Sequence, residues 1–151
     1  MIIDVAIVSL ERIGLALVAG GGIVLAACVR PFFAGGMKNS TEEGKIMLEK
    51  LSIAYWNRYN RLALLGVCIV FVLEAIRFFA GTAFSAAMLA GLPVMALLFG
   101  RKLVIDKQLR RRTEGGAAVI ESEEQKRGHR EAELISKLVI PLAAVLLAIG
   151  V

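Results

Sequence analysis

The sequence predicts an all-α polytopic membrane protein: a four-transmembrane-helix bundle with long cytoplasmic helical extensions. Two observations lead to this fold class. First, 58% of the 151 residues are hydrophobic and 21% are charged, an apolar excess that is unusual for a soluble domain. Second, 16 of the 18 Lys and Arg residues fall in two stretches, Arg30 to Arg61 and Arg101 to Lys137, which separate apolar segments long enough to cross a bilayer. We therefore expect one membrane domain, residues 1–151.

The first span is predicted at about residues 5–29. Ile13 to Val29 are 17 uncharged residues, and Val5 to Ser9 extend the helix toward its amino end. A cleaved signal peptide is the alternative for this segment. It is disfavoured because the chain starts MIIDVAIVSLE, without a positively charged n-region, and the apolar core runs into a proline rather than a small-residue cleavage site. We expect a retained membrane span.

The apolar stretch from Leu62 to Gly100 predicts two spans joined by a tight turn. Its 39 residues are interrupted only by Glu74 and Arg77. As one helix they would measure about 58 Å at 1.5 Å per residue, about twice a hydrocarbon core. We expect the reversal at Ala80-Gly81-Thr82, because glycine ends helices and no charged residue is present to form a larger loop. The predicted spans are then about 62–80 and 83–100.

The last span is predicted at about 134–151, with Lys137 snorkelling to the interface and Pro141 bending the helix near its start. The polar segments are also predicted to be helical. Ser40 to Glu43 fits a capping box, so that a helix can run from Thr41 directly into the second span. Ser122 with Gln125 is a second capping pair, which begins a charged helix before the last span.

Four crossings place both basic segments on the same side of the membrane. The positive-inside rule then assigns residues 30–61 and 101–137 to the cytoplasm, with both termini outside. We expect an integral protein of a bacterial inner (plasma) membrane whose partners are anionic lipid head groups and either further copies of itself or a larger membrane complex. Nucleic acid is not an expected partner, because the basic residues flank apolar spans.

Four charged residues lie away from the basic segments, at the far ends of the first two spans. Helix lengths of about 27 Å from Arg30 back to Arg12, and about 24 Å from Arg61 forward to Arg77, place these ends at similar depths. We favour a structural clamp or a simple location at the membrane interface for this group, and the alternative is an entry site for an ion or polar solute. Its members are Glu11, Arg12, Glu74 and Arg77.

Two further sets of residues are predicted to form surfaces. Small residues four apart predict close helix packing, at Ala16, Gly20, Gly22, Ala26, Ala83, Ala87 and Gly91. Aromatic and basic residues near the span ends predict contact with the lipid interface, at Tyr55, Trp56, Arg58, Tyr59, Arg61, Arg110, Arg111 and Arg112. For the aromatic residues a ligand-stacking site is the alternative.

Sequence motifs for catalysis are missing, and we predict no catalytic residue, no metal site and no cofactor. The chain has no CxxC, no P-loop and no GxSxG motif. Its single histidine, His129, is predicted to be a solvated helix residue. Cys28 and Cys68 lie inside apolar spans and are expected to behave as small hydrophobic residues.

The order of these features carries a family resemblance. A glycine-rich first span ends GGGIVLAACVRPFF, a long polar helix leads into the second span, the third span continues through RKLVIDKQLRRR, and a charged helix precedes the last span. Gly21, Pro31 and Phe33 are the individual matching residues. The layout resembles the four-helix membrane family related to transmembrane protein 205, also called domain of unknown function 4149. The resemblance implies a four-helix integral membrane protein with no agreed reaction. A distant similarity to copper-resistance D proteins implies metal transport.

Three functional hypotheses follow. The first is a non-enzymatic structural or accessory component that packs with itself or with a larger membrane complex. The alternative is an oligomeric small transporter or channel for an ion or small polar solute, which uses Glu74 and Arg77. A membrane enzyme is the third, and the missing catalytic motifs disfavour it.

Overall fold

The chain folds into helices joined by short connections, and the all-α class is confirmed. The computed structural model describes residues 2–115 and 122–149, in which four helices are long and apolar enough to cross a membrane. The elements are α1 (Ile2–Val24), a π-helical segment (Leu25–Val29), α2 (Arg30–Lys38), α3 (Glu42–Phe79), α4 (Ala86–Thr113) and α5 (Glu123–Ile149).

The four long helices form a closed bundle. Helix α1 packs against α3 and α5, and α4 packs against the same two helices, so each long helix has two neighbours. The centre is filled by apolar side chains from all four helices, because each helix turns one apolar stripe inward. Buried members of this core are Leu15, Val18, Val67, Val70, Leu92, Met95, Phe99, Val139, Ala143 and Leu146.

The helix of the first predicted span continues beyond Val29 and reaches Lys38. Pro31 lacks the backbone N–H that would bond to the carbonyl four residues earlier. The backbone forms the π-helical segment Leu25–Val29 just before the proline, and the Arg30 N–H donates to the Leu25 carbonyl. A proline at this position therefore changes the hydrogen-bond pattern of the helix without ending it.

Helix α3 runs without interruption from the polar segment into the second predicted span, as the sequence predicts. Its 38 residues measure about 57 Å. The cap differs by one residue from the predicted capping box. The Thr41 hydroxyl, not that of Ser40, accepts from a backbone N–H, that of Gly44 at 3.3 Å, while Ser40 Oγ donates to the Gly36 carbonyl. Thr41 is the residue with extended backbone, which is what an N-cap requires.

The turn between α3 and α4 lies at the predicted place. Gly81 adopts φ 69°, a left-handed conformation that favours glycine. Helix α4 begins at Ala86, three residues later than predicted, because the Ser85 hydroxyl caps it by accepting from the Met88 N–H at 3.4 Å. The predicted cap before α5 is also present, with Ser122 Oγ accepting from the Gln125 N–H at 3.2 Å. The carboxyl-terminal residue Val151 lies outside the described residues.

Only part of the predicted small-residue packing occurs within the chain. A Cβ added at Gly22 would lie 2.8 Å from Ile140, and one at Gly91 would lie 2.9 Å from Leu146, so helices approach closely there. A Cβ at Gly20 would meet no atom within 4 Å. Gly20 lies about 200° around the helix from Gly22, on the face turned away from the bundle. The other predicted packing residues are all exposed: Ala16, Ala26, Ala83 and Ala87.

Candidate functional site

Polar side chains are buried at both ends of the bundle. The turn end contains the α3–α4 turn and the first half of α1. The charged end contains α2 and the polar halves of α3, α4 and α5. At the turn end, Arg77 Nη1 donates to Glu74 Oε2 at 2.9 Å and to Glu11 Oε2 at 3.0 Å. These three residues form the turn-end cluster, which joins α1 to α3.

The turn-end cluster is almost completely shielded. The side chains of Glu11 and Glu74 are 1% and 0% exposed, and that of Arg77 is 12% exposed. Glu74 Oε1 also accepts from the backbone N–H of Ser85 and so fixes the start of α4. Two buried atoms, Glu11 Oε1 and Arg77 Nε, have no hydrogen-bond partner among the described residues. With both carboxyl groups ionised, the cluster carries one excess negative charge.

Arg12 is the predicted member that does not join this cluster. Its side chain is exposed, whereas that of the adjacent Glu11 is buried. Successive residues on a helix point about 100° apart, so the Arg12 side chain is directed away from the face that Glu11 presents to the bundle. Three of the four predicted residues are therefore brought together, and Arg12 faces outward.

The charged end contains a cavity of about 330 Å³ between α2, α3, α4 and α5, here named the charged-end pocket. Its volume is at the lower end of the range for small-molecule pockets, about 300–1,000 Å³. Apolar side chains, including Phe33, Ile53 and Ile140, form much of its wall. The polar groups that line it divide into three sets: one around Lys102, one around Glu49, and one around Glu133.

Lys102 is a buried cation in this pocket, with 3% of its surface exposed. Its Nζ donates to Ser136 Oγ at 2.6 Å and lies 4.1 Å from the centre of the Trp56 ring, a cation–π geometry. Asp106, one turn further along α4, is equally buried and accepts from Asn60 Nδ2 at 2.7 Å. Burial lowers the pKa of Lys102 to about 8, and the nearby charge of Asp106 opposes that shift.

Glu49 is a buried carboxylate that joins α3 to α5. It lies 2.6 Å from His129 Nε2 and accepts from Gln125 Nε2 at 3.0 Å. Burial by itself raises the pKa of Glu49, but the hydrogen bonds from His129 and Gln125, with the charge of His129, hold it below its ordinary value. His129 lies on α5 with 42% of its side chain exposed, as the sequence predicts, but it is also paired. It faces a carboxylate that reaches it from another helix.

The rim of the charged-end pocket is an ion-pair bridge between α2 and α5. Glu133 lies 2.5 Å from Arg30 Nη2 and 3.0 Å from Lys137 Nζ. Hydrogen bonds from these two cations lower the pKa of Glu133 to about 2. Because Arg30 is half exposed, this bridge is a weak restraint that can open without a large free-energy cost.

The aromatic residues of the predicted lipid interface divide into two groups. Tyr55 is exposed, as a lipid-contacting residue would be. Trp56 instead lines the charged-end pocket, and Tyr59 donates its hydroxyl proton to the Val18 carbonyl at 2.5 Å. Trp56 and Tyr59 are half-buried and contact other helices, and their predicted contact with the lipid interface stays a prediction. Trp56 lies about 100° around α3 from Tyr55 and contacts Lys102 of α4, whereas Tyr59 lies about 40° from Tyr55 and reaches α1 through its hydroxyl group.

The arginines predicted at the interface lie mainly on the outside. Arg112 is half-buried and donates to the Glu124 carbonyl at 3.1 Å, which ties the end of α4 to the start of α5. The remaining ones are exposed: Arg58, Arg61, Arg110 and Arg111.

Sequence reasoning missed the charged-end pocket, although α4 contains a signal for it. Eight of the nine buried residues of α4 alternate in steps of four and three, and this pattern continues from the apolar span into the basic segment; the ninth is Ile105. Lys102 and Asp106 therefore lie on the same face as the core. The residues in register are Met88, Leu92, Met95, Phe99, Lys102, Asp106, Leu109 and Thr113.

Comparisons of the chain with protein-family models, curated proteins and solved structures found no match. The family resemblance noted from the sequence therefore stays a prediction. Among the described residues, no group of three or more His, Cys, Asp or Glu side chains is placed to hold a metal ion. The class that the structure supports is a four-helix bundle whose helices are long and apolar enough to cross a membrane, with an ionic cluster at one end and a pocket at the other.

Proposed function

We propose that this chain is a polytopic membrane protein of four spans that acts as a non-enzymatic structural or accessory component. The distribution of side chains supports membrane insertion. Charged groups are buried between the helices, while large apolar residues such as Leu17, Leu97 and Phe79 are 69%, 75% and 84% exposed. This arrangement is the reverse of that in a water-soluble protein, and lipid is the solvent that satisfies it.

The observation that carries the proposed role is the internal pairing of the turn-end cluster. One guanidinium nitrogen of Arg77 binds both Glu11 and Glu74 inside a single chain. An ion path would need these carboxylates to face water, whereas Glu74 is fully buried and also holds the start of α4. The cluster therefore supports a clamp that fixes α1, α3 and the following turn against one another.

A flux measurement tests this role. The purified protein is reconstituted into liposomes, and wild type is compared with Glu74→Gln and with the exposed control Glu114→Gln for a panel of ions. We expect background-level flux for all three proteins. Flux in wild type that Glu74→Gln abolishes and Glu114→Gln leaves unchanged would overturn the structural role and favour the transporter.

The transporter remains a second candidate because of one observation. Glu11 Oε1 is buried without a partner, and two carboxylates share one guanidinium. A proton or a monovalent cation would neutralise the excess negative charge. Binding and release of that ion is the elementary step of a coupled transporter, and a water path formed between copies of the chain would have to supply access.

The proposed orientation has the charged end in the cytoplasm and the turn end outside. It is tested by cysteine labelling after Cys28 and Cys68 are replaced by serine. With an impermeant maleimide on intact cells, Thr82→Cys at the turn is expected to react, and Asn39→Cys at the charged end only after permeabilisation. The reverse pattern would invert the topology, and equal labelling of both positions would contradict the four-span arrangement.

A further inference from the structure

The charged-end pocket is not explained by a clamp at the opposite end of the bundle. It lies where the four helices leave their apolar spans, and it combines an apolar wall with a buried cation. A closed apolar core would stabilise this end of the bundle more simply, because a buried ammonium is costly unless it is paired. The groups that surround Lys102, the buried cation, therefore decide what this pocket can bind.

The acidic groups of the pocket already have partners. Glu49 is bound by His129 and Gln125, Asp106 by Asn60, and Glu133 by two cations. No further cation is needed to satisfy them. A positively charged ligand would have to break at least one of these contacts in order to bind.

Lys102 is the group with unused hydrogen-bonding capacity. An ammonium has three N–H donors. Among the described residues, its Nζ donates one hydrogen bond, to Ser136, and its charge is otherwise balanced only by the Trp56 ring and the nearby charge of Asp106. The other N–H donors of this ammonium belong to a residue that lines the pocket and is only 3% exposed. An anion bound in the pocket would supply an acceptor for these donors.

We propose that the charged-end pocket binds a small organic monoanion with an apolar body, its anionic group on Lys102 Nζ and its body against Trp56 and the apolar wall. A monoanion is favoured because one buried cation is available. An apolar body is favoured because side chains such as Ile53 and Ile140 could not replace the hydration shell of an inorganic ion. The half-exposed cations Arg30 and Lys137 at the rim attract the ligand toward the pocket.

The single tryptophan of the chain reports on binding directly. Trp56 is the only tryptophan, and it forms a wall of the pocket. The full-length protein in detergent is titrated with benzoate, benzyl alcohol and benzylammonium, which share a ring and differ in charge, and with inorganic phosphate. We expect a saturable change in fluorescence with benzoate, and binding at least tenfold weaker for each of the other three probes.

Matched variants assign the anion contact. Lys102→Met keeps the length of the side chain and removes its charge, and we expect it to weaken benzoate binding at least tenfold. Lys107→Met, the same change at an exposed position on α4, is expected to bind as wild type does. Ser136→Ala leaves the ammonium in place with one more free donor, so it is expected to bind benzoate at least as tightly as wild type.

Three results would overturn the proposal. Equal binding of benzoate and benzyl alcohol would mean that the cavity selects only apolar bulk. Undiminished binding of benzoate to a folded Lys102→Met variant would show that the Lys102 ammonium does not bind the anionic group. A loss in Ser136→Ala as large as that in Lys102→Met would mean that pocket shape, and not charge, governs binding. Thermal unfolding of each variant separates these outcomes from misfolding.

Discussion

Replacing Arg77 by methionine tests the energetic role of the turn-end cluster. The change keeps an unbranched side chain in the same space but removes the guanidinium that binds Glu11 and Glu74. Both carboxyl groups are buried between helices that contact each other, α1 and α3. The variant protein must then either hold two unpaired negative charges, take up protons, or separate α1 from α3.

The expected loss is large. Removing one partner of a buried ion pair costs about 3–5 kcal/mol, because the remaining charge is left without compensation. Here the lost cation serves two carboxylates that are at most 1% exposed, so solvent cannot screen them. We therefore expect Arg77→Met to lie at the upper part of that range, about 4–5 kcal/mol. Adding Glu11→Gln to the variant should restore part of the loss, since it removes one of the two unpaired charges.

Equilibrium unfolding in detergent, followed by circular dichroism at neutral pH, measures the effect. Arg12→Met is the matched control: it is the same substitution beside Glu11, but at an exposed position, and it should change stability by no more than about 0.5 kcal/mol. Equal stability of Arg77→Met and Arg12→Met would refute the reasoning. So would a double variant with Glu11→Gln that is no more stable than Arg77→Met alone.

Two further predictions concern packing and pH. Gly22→Ala is expected to destabilise the bundle by about 1–3 kcal/mol, because its Cβ would lie 2.8 Å from Ile140. Gly20→Ala, whose Cβ would meet no atom within 4 Å, is expected to stabilise the bundle by about 0.5–1 kcal/mol. Shifts of the same sign in the thermal unfolding temperatures of Gly22→Ala and Gly20→Ala would contradict the prediction that only Gly22 faces another helix closely. Burial by itself raises the pKa of Glu49, but hydrogen bonds from His129 and Gln125 hold that pKa below its ordinary 4.5. The stabilisation by ionised Glu49 is therefore present above about pH 4.5 and is lost as the pH falls through the pKa of Glu49 in the folded protein. Below about pH 4.5, wild type should lose stability more steeply than Glu49→Gln. Parallel pH profiles of the two proteins would exclude this contribution.

Local sequence signals predicted much of the helical organisation. The turn at Gly81, the helix that runs on from Thr41, and the cap at Ser122 each depend on residues within a few positions of one another. Such signals act through backbone geometry and a single hydrogen bond. The Ser40 cap was misplaced by one residue because two adjacent hydroxyl residues can both serve as a cap, and only the backbone conformation decides between them.

Contacts between helices were harder to predict from the sequence. Helix lengths place Glu11, Glu74 and Arg77 at one depth, and these residues form the turn-end cluster. Depth does not specify rotation about the helix axis, so the same lengths also assign Arg12 to the cluster, although it faces outward. Rotation about the helix axis also decides that Trp56 lines the charged-end pocket. A pattern of charges along the chain cannot show this, because the partner face belongs to another helix.

The steps of four and three in α4 show how rotation can still be read from one sequence. Apolar residues define the core-facing stripe within the apolar segment, and a helix that continues past that segment carries the stripe with it. Lys102 and Asp106 fall on that stripe. A charged residue in register with the core of a continuous helix is therefore expected to be buried and to have a specific counterpart. Its neighbours Arg101 and Lys107, which are off the stripe, are exposed, so position on the stripe separates the pocket cation from the solvated charges around it.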